Sequence, residues 1–143
     1  MATLYERLGG PHAITAVVDA FVARAAGDDR INSKFGRTNI PHLKKNFADQ
    51  VCEATGGPCA YTGRSMREAH DAMRVTAGEF DAFIQDLEGT LDELNVPTTE
   101  HRELLGLLLP MGDEIVEVES PETGTRFLTA TRPRRELNGA AAC

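Results

Sequence analysis

The amino-acid sequence predicts an all-α fold, and three observations support this. Apolar residues recur at the three- and four-residue spacing of an amphipathic helix through most of the chain. Alternating strand patterns are nearly absent, and pairs of glycines, with or without proline, separate the helical segments at 9–10 and 56–58. The 143 residues suffice for one domain, which should bury roughly two-thirds of the surface of its unfolded chain.

The first half of the sequence predicts three helices. A short helix covers about 3–8, and a second begins near Pro11, a residue suited to a first helical turn, and ends at Gly27. A brief turn with Phe35 follows, and a third helix begins near Pro41. The apolar positions are Ile14, Val17, Val18, Phe21, Val22 and Ala25 in the second helix and Leu43, Phe47, Val51 and Ala54 in the third.

The second half predicts a short helical segment, two longer helices and a tail. The short segment covers about 65–73, and the letters TAGE at Thr76 to Glu79 form a capping box that opens a long helix. A last helix follows Pro97 and should be kinked at Pro110. Because periodicity is lost near the C-terminus, we expect a folded domain over 1–117 and a disordered tail over 118–143.

Charge and hydropathy exclude two classes of partner. A net charge of −7 argues against nucleic acid, because binding to phosphates needs a basic surface. No apolar run approaches the ~20 residues that span a bilayer. The N-terminal letters MATLYERLGG also lack the pattern of a secretory signal. We therefore expect a cytoplasmic protein that binds neither nucleic acid nor membrane.

The three cysteines, Cys52, Cys59 and Cys143, form no CxxC pair, and their spacing does not match a zinc site. We interpret Cys52 and Cys59 as free thiols, as expected in a reducing cytosol. The alternative is a disulfide, because the Gly-Gly-Pro turn could bring the two residues within ~6 Å.

His70 shares a predicted helical face with Met66, Ala69 and Met73. A histidine on such a face is ordinarily a core residue whose ring bonds to a backbone carbonyl, and the alternative is a metal ligand. His12, His42 and His101 lack this apolar setting.

A local excess of basic residues lies between positions 32 and 48, where Lys34, Arg37, Lys44 and Lys45 occur without an acid. It indicates either an anion site or a solvated basic face. An imidazole, apolar walls and basic residues together suit haem, whose edge carries anionic propionates. Motifs for phosphate loops, dinucleotides and HExxH zinc sites are absent.

Several motifs in order resemble those of truncated haemoglobins of group I. They are LYERLGG at 4–10, AITAVVDAFVAR at 13–24, DDRINSKF at 28–35, TGGPCAYTGRSMREAH at 55–70 and EFDAF at 79–83. The resemblance extends to about Glu117. It implies a two-over-two helical sandwich around haem b.

The same resemblance implies roles for individual residues. His70 would be the axial ligand of the iron, and Phe35 would pack flat on the haem. The distal wall would contain Leu43, Phe47 and Val51, the proximal side Met66, Phe80 and Phe83, and the propionate partners would be Lys44 and Arg37.

The sequence departs from the family pattern on the distal side. Many members carry tyrosine where this chain has Val22 and glutamine at the place of Leu43 or Phe47, and some carry an iron-binding histidine in place of Asn46. The distal pocket should therefore be apolar. His42 and Gln50 are the nearest polar candidates, and helical spacing predicts that both lie off the Leu43–Phe47 stripe.

The resemblance implies a haem protein that binds dioxygen, nitric oxide or carbon monoxide, and oxygen transport is one role of such a protein. Nitric oxide dioxygenation is its candidate reaction, supported by a reductase not yet identified. The alternatives are a haem redox protein for electron transfer, peroxidase-like chemistry or ligand sensing without stable dioxygen binding, and a haem-free helical module. We expect a monomer.

Overall fold

The computed structural model describes residues 2–35, 38–70 and 73–124, and within these ranges the chain is helical, without a strand. The all-α prediction is confirmed. A single β-bridge joins Thr76 to Val118 in this part of the chain. The α-helices are α1 Leu4–Leu8, α2 Gly10–Ala26, α3 Ile40–Ala54, α4 Met66–Ala69, α5 Ala77–Glu93, α6 Thr98–Leu108 and α7 Gly112–Ile115, with 3₁₀ turns at Asn32–Phe35 and Leu109–Met111.

Helix α2 is central to the packing. It packs against both α3 and α5, while α6 packs on α5 and on the short α1. The main core forms where these faces meet, and α2 contributes all six of its predicted apolar residues to it. A second cluster consists of Met73, Val75, Phe80 and Ile84, and Ile115 and Val116 pack against it.

Glycine permits the tight turn between α1 and α2. Gly9 ends α1 at a φ of +118°, in the left-handed region that side chains rarely adopt. A Cβ atom at Gly9 would also lie only 2.9 Å from the Cβ of Ala13. The chain can therefore reverse here without a longer connection.

Capping boxes open three of the helices. The predicted box of Thr76 and Glu79 is confirmed at the start of α5, where the Thr76 hydroxyl accepts the Glu79 N–H at 2.9 Å. Two further boxes open α1, at Thr3, and α4, at Ser65. Each box satisfies N–H groups that a helix N-terminus would otherwise leave without acceptors.

Two elements differ from their predicted extents. The short segment forms a helix only over Met66–Ala69, and His70 is its C-cap rather than a residue inside it. The last helix gives way to a 3₁₀ turn at Leu109–Met111, where Pro110 cannot donate the N–H of a continuing helix, and α7 follows.

Cys52 and Cys59 form a disulfide, with Cα atoms 5.7 Å apart. The interpretation of these residues as free thiols is therefore wrong. The turn at 56–58 brings the two cysteines together. Its backbone passes so close to Cys52 that a Cβ atom at Gly57 would lie 2.6 Å from Cys52 Sγ, so glycine is needed there. Cys143 lies outside the described residues.

Part of the segment assigned to the tail contacts the start of α5. Ala77 N–H donates to Val118 O at 3.0 Å, and Gly78 N–H donates to Ser120 O at 2.9 Å. Gly124 N–H also donates to Arg30 O at 2.7 Å. Residues 125–143 lie outside the described ranges, so the tail stays a prediction there.

None of the helices in the described ranges has both the length and the apolar character that a membrane span requires.

Candidate functional site

An apolar cleft opens between α2, α3 and α5, and the segment with His70 forms part of its wall. It holds about 850 Å³ of space between atoms, part of which is continuous with solvent. Most of its lining is apolar, and the polar residues in it are Lys34, Gln50, His70 and Glu79.

His70 reaches the cleft because α4 is only four residues long and a capping box fixes its start. The Ser65 hydroxyl accepts the Glu68 N–H at 3.1 Å, and the Glu68 carboxylate accepts the Ser65 N–H at 3.2 Å. Helix α4 then ends after one turn, and the His70 N–H donates to Met66 O. The imidazole is thereby held at the C-terminal end of α4, where it lines the cleft.

His70 is 7% exposed, and its Nδ1 lies 2.8 Å from Met66 O. A carbonyl oxygen can only accept, so Nδ1 carries the proton and the lone pair of the neutral ring belongs to Nε2. Burial lowers the pKa of His70, against the opposing effect of the Met66 carbonyl. A neutral imidazole with an oriented Nδ1–H is the form in which histidine binds metals.

The side of the cleft formed by α2 and α3 presents apolar residues. Val22, Leu43 and Phe47 are all buried, and all three line the cleft. None of these side chains can donate a hydrogen bond. That this side is the distal wall of a haem pocket stays a prediction.

Gln50 also lines the cleft, so the prediction that it lies away from this face is wrong. Its amide Nε2 donates to Met111 Sδ at 3.3 Å. His42 behaves as predicted: it is exposed, absent from the lining, and 3.0 Å from the Asn46 amide through its Nε2.

Aromatic rings in the lining of the cleft contact one another. Phe21 meets Phe83 edge-to-face at a centroid distance of 4.8 Å and Phe47 at 5.5 Å. Phe80 stacks on Phe83 at 6.0 Å. The rings come from α2, α3 and α5, so they connect the three helices that enclose the cleft.

Seven of the nine predicted site residues line the cleft: Phe35, Leu43, Phe47, Met66, His70, Phe80 and Phe83. Val51 does not, because it lies one turn beyond Phe47 and lines a separate apolar groove with residues of α1 and α2. Lys44 does not either, because its Nζ pairs with Asp19 at 3.2 Å. Arg37 lies outside the described residues.

The local excess of basic residues is neutralised in the described part of the run. Lys45 pairs with Asp49 at 2.8 Å, and Lys44 with Asp19. Lys34 is buried and lies 3.5 Å from Glu79 through its Nζ and Oε1 atoms. The sequence did not indicate that Lys34 and Glu79 would be part of the cleft wall, since a lysine in a basic run is usually solvated.

Helices that enclose an apolar cleft, with a buried histidine in its wall, are the arrangement of a globin, here in a shortened form. The family model for bacterial-like globins matches residues 3–117, and the chain belongs to this family. Membership implies that it binds haem and, at the iron, a small diatomic ligand.

Relatives with known names agree with the predicted group. The chain is 40% identical to a group 1 truncated hemoglobin of Tetrahymena thermophila over 94 residues, covering 66% of this chain and 78% of the relative. It is 32% identical to group 1 truncated hemoglobin GlbN of Mycolicibacterium paratuberculosis over 119 residues, covering 83% and 88%.

Solved structures confirm the two-over-two fold. The truncated hemoglobin of Tetrahymena pyriformis in its Fe(III) form superposes with a TM-score of 0.77 at 33% identity, covering 80% of this chain and 98% of that one. The 2/2 hemoglobin of Synechococcus sp. PCC 7002, with covalently attached heme, gives a TM-score of 0.77 at 32% identity, with the same coverage.

Proposed function

We propose that this chain holds haem b in the cleft, with His70 as the axial ligand of the iron. The observation that carries the proposal is the buried imidazole in the cleft wall, whose Nδ1–H donates to Met66 O at 2.8 Å. That bond orients the ring and assigns the lone pair to Nε2, the atom that would bind iron.

The residues of the cleft fit a flat, apolar macrocycle. Its lining supplies phenylalanine, leucine, valine and methionine side chains on the faces that such a group would cover. When bound, haem supplies an iron that takes up small gases and exchanges single electrons. The chain's own residues would hold the group, exclude water from it and limit the space on the side opposite His70.

On that opposite side, the chain offers three bulky apolar side chains that cannot donate a hydrogen bond. Val22 and Leu43 would keep water out, and Phe47 would restrict the space near the iron. Gln50 is the polar side chain on this wall, and its amide already donates to Met111 Sδ. We infer weak retention of dioxygen and a relative preference for carbon monoxide, which needs less polar support.

The same observation favours a second function, redox chemistry without a stable dioxygen complex. A wall without donors at Val22, Leu43 and Phe47 suits electron transfer or ligand sensing as well as it suits gas binding. Nitric oxide dioxygenation and a peroxidase-like reaction are further candidates, and both need an external electron donor. A monomer in the cytoplasm, with a separate reductase, stays our prediction.

The test is a titration of haemin into the haem-free protein, followed by absorption spectra in the ferric, ferrous and ferrous carbon monoxide forms. We expect one haem per chain and a strong Soret band in the wild type. We expect His70→Ala to lose normal haem retention, and His12→Ala, a change at an exposed position of α2, to behave as the wild type. No Soret band in the wild type would indicate a haem-free module.

Dioxygen dissociation and autoxidation rates separate the two haem functions. Dissociation of dioxygen that is much faster than oxidation of the iron supports gas binding, because dioxygen is then released many times before the iron is oxidised. Oxidation of the iron in nearly every encounter with dioxygen supports the redox function.

A further inference from the structure

A lysine and a glutamate form a buried ion pair in the wall of the cleft. Lys34 is 4% exposed and Glu79 is 1% exposed, and Lys34 Nζ lies 3.5 Å from Glu79 Oε1. Lys34 follows α2 in a 3₁₀ turn, whereas Glu79 belongs to the first turn of α5. Packing does not demand this pair, because apolar residues of similar volume often replace buried ion pairs without loss of stability.

The lysine also contacts the backbone close after His70. Its Nζ donates to Met73 O at 2.8 Å and approaches Arg74 O at 3.4 Å. Met73 N–H in turn donates to His70 O at 3.1 Å. Met73 therefore links Lys34 to His70: its carbonyl accepts from Lys34, and its N–H donates to the His70 carbonyl.

This backbone adopts a conformation that needs outside support. Arg74 has a φ of +58°, in the left-handed region that a residue with a side chain occupies at a cost. Its N–H donates to Glu117 Oε1 at 2.7 Å, and its carbonyl faces Lys34 Nζ. Two charged side chains that are distant in sequence therefore hold Arg74, one at its N–H and the other at its carbonyl.

We propose that Lys34 is a positioning residue for His70, fixing the backbone of Met73 and Arg74 so that the imidazole keeps one orientation toward the iron. Glu79 keeps the ammonium charged within the apolar wall: burial lowers the pKa of Lys34, and the carboxylate opposes that effect. The inference rests on the proposed function, because it concerns how His70 is held as a ligand.

The test compares Lys34→Met with the wild type in the ferrous, ligand-free form. The readouts are the iron–histidine stretching band in the resonance Raman spectrum and the rate of haem transfer to an excess of apomyoglobin. We expect the band to move to lower frequency and broaden. We expect haem transfer to be about tenfold faster, the factor that corresponds to one lost charge-assisted hydrogen bond.

The matched control is Lys45→Met. Lys45 is an exposed lysine of α3 that pairs with Asp49 one turn away, so its loss should leave both readouts unchanged. An unchanged band and an unchanged transfer rate in Lys34→Met would overturn the proposal.

Lys34→Met alone leaves Glu79 buried without its ion-pair partner, and this variant could fail to fold. The double variant Lys34→Met, Glu79→Gln removes both charges, while the glutamine oxygen can still accept the Thr76 N–H. We expect the double variant to fold and to show the same Raman change as Lys34→Met. A folded double variant with a wild-type band would also overturn the proposal.

Failure of this inference can be distinguished from failure of the proposed function. If His70 does not bind iron, the wild type itself lacks an iron–histidine band, or the band survives in His70→Gly. If only the positioning role is wrong, the wild-type band is present, disappears in His70→Gly and stays unshifted in Lys34→Met.

Discussion

Under the proposed function, a gas molecule would meet three apolar side chains on the distal side of the cleft: Val22, Leu43 and Phe47. Dioxygen bound to ferrous haem gains partial negative charge, so a donor nearby would stabilise it. A hydrogen bond to a charged group contributes ~1.5–3 kcal/mol, and each 1.4 kcal/mol is about tenfold in an equilibrium constant. The absence of such a donor at these three positions therefore has a measurable consequence.

We expect Val22→Tyr to slow dioxygen release by about tenfold to a hundredfold, because its hydroxyl would add one hydrogen bond. Stopped-flow dioxygen release measures this. Val22→Phe is the matched control, since it adds the ring without the hydroxyl and should not slow release to the same extent.

Gln50→Leu tests whether the Gln50 amide donates a hydrogen bond to bound dioxygen. Gln50 is the amide that lines this wall, and its contact with Met111 Sδ should keep it from the ligand. We expect no change in dioxygen release in this variant. Slow release in the wild type that becomes fast in Gln50→Leu would show that the amide supplies the hydrogen bond.

A second residue-scale feature is a pair of carboxyl groups at the junction of α2 and α5. Burial, followed by its hydrogen bond and charge interaction with Asp28, raises the pKa of Asp86 to about 7. Arg30 opposes this, and its Nη2 lies 3.5 Å from Asp86 Oδ1. Arg30 meanwhile holds the pKa of Asp28 well below its usual range.

The raised pKa of Asp86 predicts how stability depends on pH. Between about pH 4 and 7 the folded protein binds a proton that the unfolded chain has released, so this site makes the free energy of unfolding fall as the pH rises. The slope is at most about 1.4 kcal/mol per pH unit, and it vanishes above pH 7 because both states are then deprotonated.

Urea unfolding across pH 4.5 to 8 tests this with Asp86→Asn, whose amide stays neutral and can donate to Asp28. We expect the variant to lose the decline and to be more stable than the wild type at pH 8. Asp81→Asn, at an exposed position of the same helix, is the control and should keep the wild-type profile. An identical decline in Asp86→Asn would assign the effect to another group.

At the scale of elements, the sequence predicted best where local chemistry decides the structure. Thr76 and Glu79 form their capping box because both partners lie within one turn, and the apolar positions of α2 follow from helical spacing alone. Helix α4 was predicted too long. Four residues cannot form a stable helix by themselves, so tertiary contacts decide that it ends before His70.

The Cys52–Cys59 disulfide connects the end of α3 to the loop that leads toward α4. Closing a loop of this short length restricts the unfolded chain, which should stabilise the protein by about 2–3 kcal/mol. We expect that amount to be lost from the free energy of unfolding when urea titrations are run with a reducing agent. The double variant Cys52→Ala, Cys59→Ala should be insensitive to the reductant.

The expected cytoplasmic location and the disulfide predict opposite states for the two cysteines in intact cells. A reducing compartment keeps thiols reduced, whereas the structure has them oxidised to a disulfide. Alkylation during lysis under non-reducing conditions, followed by mass spectrometry, decides between them. Two alkylated thiols at positions 52 and 59, both in protein alkylated during lysis and in protein purified in air, would contradict the disulfide.

At the scale of the whole molecule, the lining of the cleft could be predicted only in part. Leu43 and Phe47 share a helical face and reach the cleft together, whereas Val51 lies on the same face but beyond the cleft. Periodicity identifies the buried face of a helix, not the point along it where a partner helix ends the cleft. Lys34 could not be foreseen for a related reason: its partner Glu79 is distant in sequence.

The central claim is that His70 holds the iron, and imidazole rescue of His70→Gly tests it most directly. The measurement is the absorption spectrum of the ferrous, ligand-free protein with one equivalent of haem, before and after imidazole is added. We predict a five-coordinate histidine-type spectrum in the wild type, its loss in His70→Gly, and its return when imidazole occupies the space left by the side chain. A wild-type spectrum in His70→Gly without imidazole would contradict the account.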